Sequence, residues 1–423
     1  MYQFIKNNKR IAILIMIIGF VFIFLDKILL EDLEKNKNFL NFNKEKKILT
    51  HEETEKNNNP WTGLYISIFY FTSISLGSLF FLVIQNVSKS GWSVILHPIM
   101  EIIASFIPYG CSMIFIILLL NTMDWIHMFH WMDSNLYNPN SIKFDKIIES
   151  KKLFLNIPFF LIRSIIYVLG CSFFYLKIKK ISSTLYKTHS LNDYKKLYFI
   201  SVIFIVFFSI ISIFMAWDWI MSLNPHWFST LFGWYVFSSY LVTGIGTITI
   251  VAIYLNKKGY FPLFRKSHLH DLSKYLFSSS LLWTYFWFSQ FLLYWYGNVP
   301  EEIAYFLKRE EMYNFIHFWM LIPNFVIPFF GLISSNSKSN PNIVFTVSLI
   351  LLIGHYIDIY NLIAPDVNIE GNIKYGISEI GSILLIGGFF IYILCYKINK
   401  KELNASIGNP FFQESKNYKY PYM

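Results

Sequence analysis

Long apolar runs separated by short polar, often lysine-rich stretches set the pattern of this chain from end to end. A helix needs ~20 predominantly apolar residues to cross a bilayer. Runs of that kind fall at roughly 11–30, 61–85, 93–120, 153–176, 197–222, 229–255, 272–297, 312–335, 342–363 and 375–396. The pattern predicts an all-α integral membrane protein with about ten transmembrane helices in one polytopic domain, 1–423. A polar extracytoplasmic loop is expected at 31–60 and a cytoplasmic tail at 397–423. The first run follows Lys6, Lys9 and Arg10, as in a signal-peptide n-region, but it is long and no small-x-small cleavage site follows, so it reads as a helix.

Punctuation within the runs refines this picture. Pro158 and Pro323 fall inside two of them and are expected to kink the helices, whereas Pro98 sits near a helix start, where proline is cheap. Gly233, Ser238, Ser239, Gly244 and Gly246 in the sixth run would let another helix approach closely. Trp125, Trp131, Trp217, Trp219, Trp227 and Trp295 cluster toward one side of the membrane and read as an aromatic belt. In the segment 124–130, Asp124, His127 and His130 share a face if the segment is an interfacial helix.

Composition agrees with the pattern: 55% of residues are hydrophobic, 20% aromatic and only 15% charged, far from an ordinary soluble domain. The net charge of +10 has a topological origin rather than a nucleic-acid one. Lys177, Lys179, Lys180, Lys187, Lys195 and Lys196, then Lys257, Lys258, Arg265 and Lys266, fall between runs on the side that also carries both termini. Retention of Lys and Arg in the cytoplasm then places both termini there. Lysine outnumbers arginine 32 to 4, and Ile, Phe, Tyr and Asn abound. That bias suggests A+T-rich codons and makes many Phe and Ile residues compositional.

Soluble-type chemistry finds no support. Cys111, Cys171 and Cys395 stand alone in apolar runs, without C-x-x-C or iron–sulfur spacing, and read as packing residues. No phosphate loop, nucleophile elbow or H-E-x-x-H pattern occurs. A haem held between helices needs axial histidines at matching depth. The in-run candidates His97, His317 and His355 are not matched: His97 lies in the inner part, His317 in the outer part and His355 beyond the midplane.

Ionisable residues inside apolar runs carry the functional signal, because charge in the bilayer is costly and such residues mark ion or proton pathways. Arg163 is expected near the middle of the fourth run, Glu101 with His97 toward the cytoplasm, and Asp218, His317, Asp358 and Glu379 toward the outer side. His97 and Glu101 are four apart, His355 and Asp358 three apart, so each pair shares a helix face. Together they outline a two-sided proton route. The competing reading is that each group satisfies a neighbour across helices, contributing on average about 0.6 kcal/mol. Arg163 stands out because lysine is this chain's habitual cation, and a guanidinium adds fixed charge and bidentate geometry.

Several stretches carry a resemblance: AWDWIMSLNPHWFSTLFGWYVFSSY at 216–240, HLHDLSKYLF at 268–277, WTYFWFSQFLLYWYGNVPEE at 283–302, FLNIPFFLIRSIIY at 154–167 and GHYIDIYNLIAP at 354–365. They resemble the ActF-type membrane subunits of bacterial alternative complex III, a quinol:cytochrome c oxidoreductase, within the NrfD/PsrC-like family. The resemblance implies two four-helix bundles, spans 2–5 and 6–9, with spans 1 and 10 peripheral. It implies a chain that binds no haem or iron–sulfur cluster itself and is not catalytic alone, in the bacterial inner membrane. Its partners would be a paralogous NrfD-like subunit, an iron–sulfur subunit and c-type cytochromes, which hold the clusters and haem c, with quinol or quinone in the complex.

The implied role is support of quinol oxidation and proton conduction. Asp218, His226, Arg163, His355 and Asp358 fall in the resembling stretches, whereas Glu101, His97, His317 and Glu379 rest on burial alone. A second reading is a stand-alone secondary transporter. Such proteins use paired broken helices in corresponding halves, and Pro158 and Pro323 lie in the fourth and eighth runs.

Overall fold

The structure, a computed structural model, describes residues 2–40, 46–367, 376–398 and 405–420. The chain is 83% helical without strands among those residues. In order the helices are α1 (Tyr2–Leu40), α2 (Lys46–Val87), α3 (His97–Ala104), α4 (Ile107–Thr122), α5 (Lys146–Ser150), α6 (Ile157–Thr188), α7 (Leu191–Trp219) and α8 (Leu231–Lys257). They continue with α9 (Lys266–Gly297), α10 (Pro300–Trp319), α11 (Ile327–Leu332), α12 (Ser335–Lys338), α13 (Pro341–Val367), α14 (Ile377–Lys397) and α15 (Phe412–Asn417).

Eight segments among the described residues are long and apolar enough to cross a membrane. They correspond to the first six, ninth and tenth predicted runs. The seventh lies within α9, which is 32 residues long but more polar. The eighth is not one helix. It begins within α10, passes through a π-turn at Ile322–Val326 and ends in α11. Pro323 has no N–H to donate, and the ladder recovers with the Ile327 N–H bonding to the Ile322 carbonyl. The chain is thus a multi-pass all-α membrane protein.

Local signals set the helix ends. Asn156 caps α6 by accepting from the Phe159 N–H, and Ser190 caps α7 by accepting from the Asn192 N–H. Between them His189 adopts the left-handed conformation that ends α6. Pro158 sits in the first turn of α6, where the missing N–H is unneeded, so it starts that helix rather than kinking it. The 31–60 stretch, expected as a loop, carries the end of α1 and the start of α2. Its Leu, Glu and Lys residues are good helix formers. Residues 123–129 are irregular and Asp124 has φ +59°. Asp124, His127 and His130 therefore do not share a helical face.

Packing separates centre from periphery. In α2, 94% of the membrane-length window is buried, against 11% in α1. The α1 helix packs on α14, and α14 on α2, so the first and last spans are peripheral, as expected. The α2, α4, α6 and α7 helices pack in one group, α8, α9, α11 and α13 in another, and α2 meets α8 where they join. At that junction a Cβ on Gly77 would lie 1.7 Å from the Tyr240 carbonyl oxygen, and one on Gly244 would lie 2.5 Å from the Gly77 carbonyl carbon. The two backbones touch, which only glycine permits.

The helices define two ends. One, the terminal face, carries the turns at 88–93, 189–190 and 258–265 together with α15. Ser415 donates to the Trp92 carbonyl, and His268 Nε2 lies 2.9 Å from the Ser415 carbonyl oxygen. Phe4 packs on Tyr260 there. The other, the far face, carries 123–156 and 220–230. Trp125 and Trp295 are exposed as a belt requires, but Trp131, Trp219 and Trp227 are buried and belong to the core.

Candidate functional site

Two arginine–aspartate pairs brace the far half. Arg163 lies in the second turn of α6, level with the end of α7, so it is near the far face and not at the middle of its span. Its Nε donates to Asp218 Oδ2 at 2.8 Å and its Nη2 to Oδ1 at 2.7 Å, while Nη1 reaches the Phe154 carbonyl at 3.1 Å. The rings of Phe154 and Phe159 cover the guanidinium, at 3.9 and 4.3 Å from Cζ. Tyr167 adds a donor to Asp218 Oδ2 at 2.5 Å. Such a pair is closed: the charges neutralise each other, and the fork geometry that lysine lacks is used in full.

The second pair is absent from the sequence expectations. Arg309 on α10 donates to Asp366 Oδ2 at 2.5 Å and to the carbonyls of Tyr305, Asn361 and Leu362, with Cζ 3.3 Å from the Tyr305 ring centre. Arg309 falls between the seventh and eighth apolar runs, beside Lys308 and Glu310. The scarcity of arginine, which singled out Arg163, was the signal available for it too. Asn224 links the pairs, since it lies six residues after Asp218 and donates to Asp366 Oδ1 at 3.2 Å.

Asp358 and His355 form a different kind of site. Both are completely buried in α13. Tyr235 donates to Asp358 Oδ1. Trp283 Nε1 donates to Oδ2 at 3.0 Å, and Ser239 lies at 3.4 Å. His355 Nδ1 stands 3.8 Å from Oδ2, beyond a hydrogen bond. The Trp283 ring meets His355 edge-on at 5.3 Å. Neutral donors and one imidazole surround the carboxyl, and among the described residues no arginine or lysine pairs with it. This site differs from the arginine pairs, whose carboxylates each face a guanidinium.

Above it, toward the far face, opens an aromatic pocket walled by Trp227, Trp287, Phe291, Tyr294 and Tyr305, with Tyr235 and His317 also in its lining. Trp227 and Tyr305 stack at 3.8 Å. His317 Nδ1 lies 3.2 Å from Asn361 Nδ2. Tyr235 thus touches both the pocket and Asp358.

The remaining predicted residues lie elsewhere. Glu101 pairs with Lys179 at 3.0 Å, and Ser182 and Tyr186 donate to it. His97, on the same short helix, lies 3.3 Å from Ser93 Oγ instead. Both are near the terminal face, and each has partners of its own. Glu379 accepts from the Gly376 N–H at 2.7 Å and serves as a local cap for α14. His226 is at the surface, 2.6 Å from Asp145 Oδ2. Burial alone would raise the Asp145 carboxyl, but the His226 hydrogen bond and the N–H groups of Ile148 and Ile147 hold it below the usual range. No group of three or more potential metal ligands occurs among the described residues.

The structure thus brings Arg163 to Asp218 and His355 to Asp358, and leaves Glu101, His97, His226 and Glu379 apart from both. Neither protein-family models nor curated proteins match this chain.

Proposed function

We propose that this chain is a haem-free membrane subunit of a quinol:cytochrome c oxidoreductase complex of the alternative complex III type, in a bacterial inner membrane with both termini cytoplasmic. It supports quinol oxidation and conducts protons, with an iron–sulfur subunit, c-type cytochromes and a paralogous membrane subunit as partners. The observation that carries the proton role is Asp358: wholly buried, held by Tyr235 and Trp283, with His355 as its nearest imidazole and an aromatic pocket beside Tyr235. Its side chains come from three of the resembling stretches, 216–240, 283–302 and 354–365.

In this reading Tyr235 and Trp283 orient the Asp358 carboxyl, and a proton passes between that carboxyl and His355 through a bridging water, since the two stand 3.8 Å apart. The two arginine pairs keep the far half rigid and carry no proton, since their donors and acceptors are already matched. Secondary transport loses its main sequence support, because Pro158 starts α6, and the breaks at Ser105–Phe106 in the third span and at Pro323 in the eighth do not fall at corresponding positions of the two halves.

Replacing Asp358→Asn in the intact complex, reconstituted in vesicles, tests the proposal. Protons moved per electron should fall while the complex still assembles with its haem-bearing and iron–sulfur subunits. An unchanged ratio would remove Asp358 from the route. A colourless single-chain species on mild-detergent purification of the wild type would count against the complex itself.

A further inference from the structure

We infer that Asn324 and His355 enclose an internal water site beneath the Asp358 carboxyl, shaped by the π-turn of the eighth span. Both residues are completely buried. Among the described residues, neither Asn324 Oδ1 nor Nδ2 has a hydrogen-bond partner, and neither does either His355 ring nitrogen. Native proteins leave few buried polar atoms unpaired, and each costs about 1–3 kcal/mol. Two fully unsatisfied side chains in one neighbourhood are therefore a built feature that needs an occupant.

Their proximity follows from three contacts. A Cβ on Gly354 would lie 2.2 Å from Asn324 Oδ1, so the carboxamide rests against α13 at the residue before His355. Ser280 on α9 donates to the Asn324 carbonyl at 2.6 Å. Trp283, one turn along α9, bonds Asp358 and meets the His355 ring.

The donor set selects the occupant. A carboxamide offers both donors and an acceptor, and a neutral imidazole one of each. Water matches such mixed sets and is held in interiors by two to four polar partners. An apolar ligand would leave every atom unpaired. Pro323 explains the placement, because the π-turn it sits in moves Asn324 out of helical register and against Gly354. The water's role, as the next proton station below Asp358 and His355, rests on the proposed function; its presence does not.

X-ray radiolytic footprinting of the intact complex in native membranes tests this, because hydroxyl radicals form on bound water and oxidise adjacent side chains even when buried. His355 and Trp283 should be oxidised well above Trp219, which is equally buried but donates to Ser164. Asn324→Leu should reduce that oxidation severalfold, and Asn324→Ser should retain most of it. Oxidation of His355 and Trp283 no faster than that of Trp219 overturns the inference, as does an Asn324→Leu pattern like wild type. Failure of the Asp358→Asn proton test would leave the footprint standing, so the two ideas fall separately.

Discussion

Arg163 and Asp358 show how differently two buried charged residues can be used. Arg163 meets Asp218 side-on through Nε and Nη2 and is covered by two rings. Arg163→Ala should destabilise the chain by about 3–5 kcal/mol, because it strands Asp218 without a countercharge. Arg163→Lys should recover only part of that, since an ammonium cannot form the fork. The double change Arg163→Leu with Asp218→Leu should cost less than either alone. Thermal unfolding in detergent measures all three, and equal losses in the single and double variants would show that the pair does more than neutralise itself. Asp145 offers a pH-dependent counterpart at the surface. Its folded value is depressed, so its stabilisation is complete above the ordinary aspartate range, about pH 4, and is lost as pH falls through the lower folded value. Hydrogen exchange at the Ile147 and Ile148 amides, corrected for intrinsic rate, should accelerate only on that acid side, and Asp145→Asn should abolish the dependence. Arginine scarcity made Arg163 legible in the sequence, and the pairing of His355 with Asp358 followed from helical spacing. Arg309 was missed because its neighbours are charged, and its burial depends on Asp366, 57 residues away in the chain.

At the level of helices, hydropathy located most spans because the bilayer requires length and apolarity and little else. What it could not locate was how a span is broken. Pro158 and Pro323 look alike in sequence, yet one starts a helix under the Asn156 cap while the other forms a π-turn. The difference lies in what precedes each proline. Small residues were more telling: Gly244 was expected to admit a neighbour, and that neighbour is Gly77. Gly77→Ala places a methyl within 1.7 Å of the Tyr240 carbonyl oxygen, so the junction of α2 and α8 must open. Overpacking of this kind costs about 1–3 kcal/mol. Gly246→Ala, whose Cβ would meet only Leu352 and Leu276 atoms at 3.6 Å or more, should be tolerated. A melting temperature lowered in the first variant and unchanged in the second supports the backbone contact; equal effects would refute it.

Across the whole molecule, the ionisable residues form separate layers: two arginine pairs toward the far face, Asp358 and His355 within the bundle, and Glu101 with Lys179 near the terminal face. The sequence placed several of these residues by depth, though not Arg163 or Arg309, and could not join them, because partners such as Tyr235, Trp283 and Ser182 are ordinary residues until the helices meet. On the proposed function, a proton entering at one face has to cross gaps between these layers, and which face is cytoplasmic decides the direction in which the route works. In the proposed orientation, argued from the lysine-rich turns, the terminal face is cytoplasmic. Because Cys111, Cys171 and Cys395 are buried, a single exposed cysteine reports sidedness without background. Asn140 is exposed on the far face and Lys258 on the terminal face. In intact spheroplasts a membrane-impermeant maleimide should label Asn140→Cys at once and Lys258→Cys only after permeabilisation. The reverse labelling would invert the chain in the membrane, and with it the side from which Glu101 and Lys179 are reached.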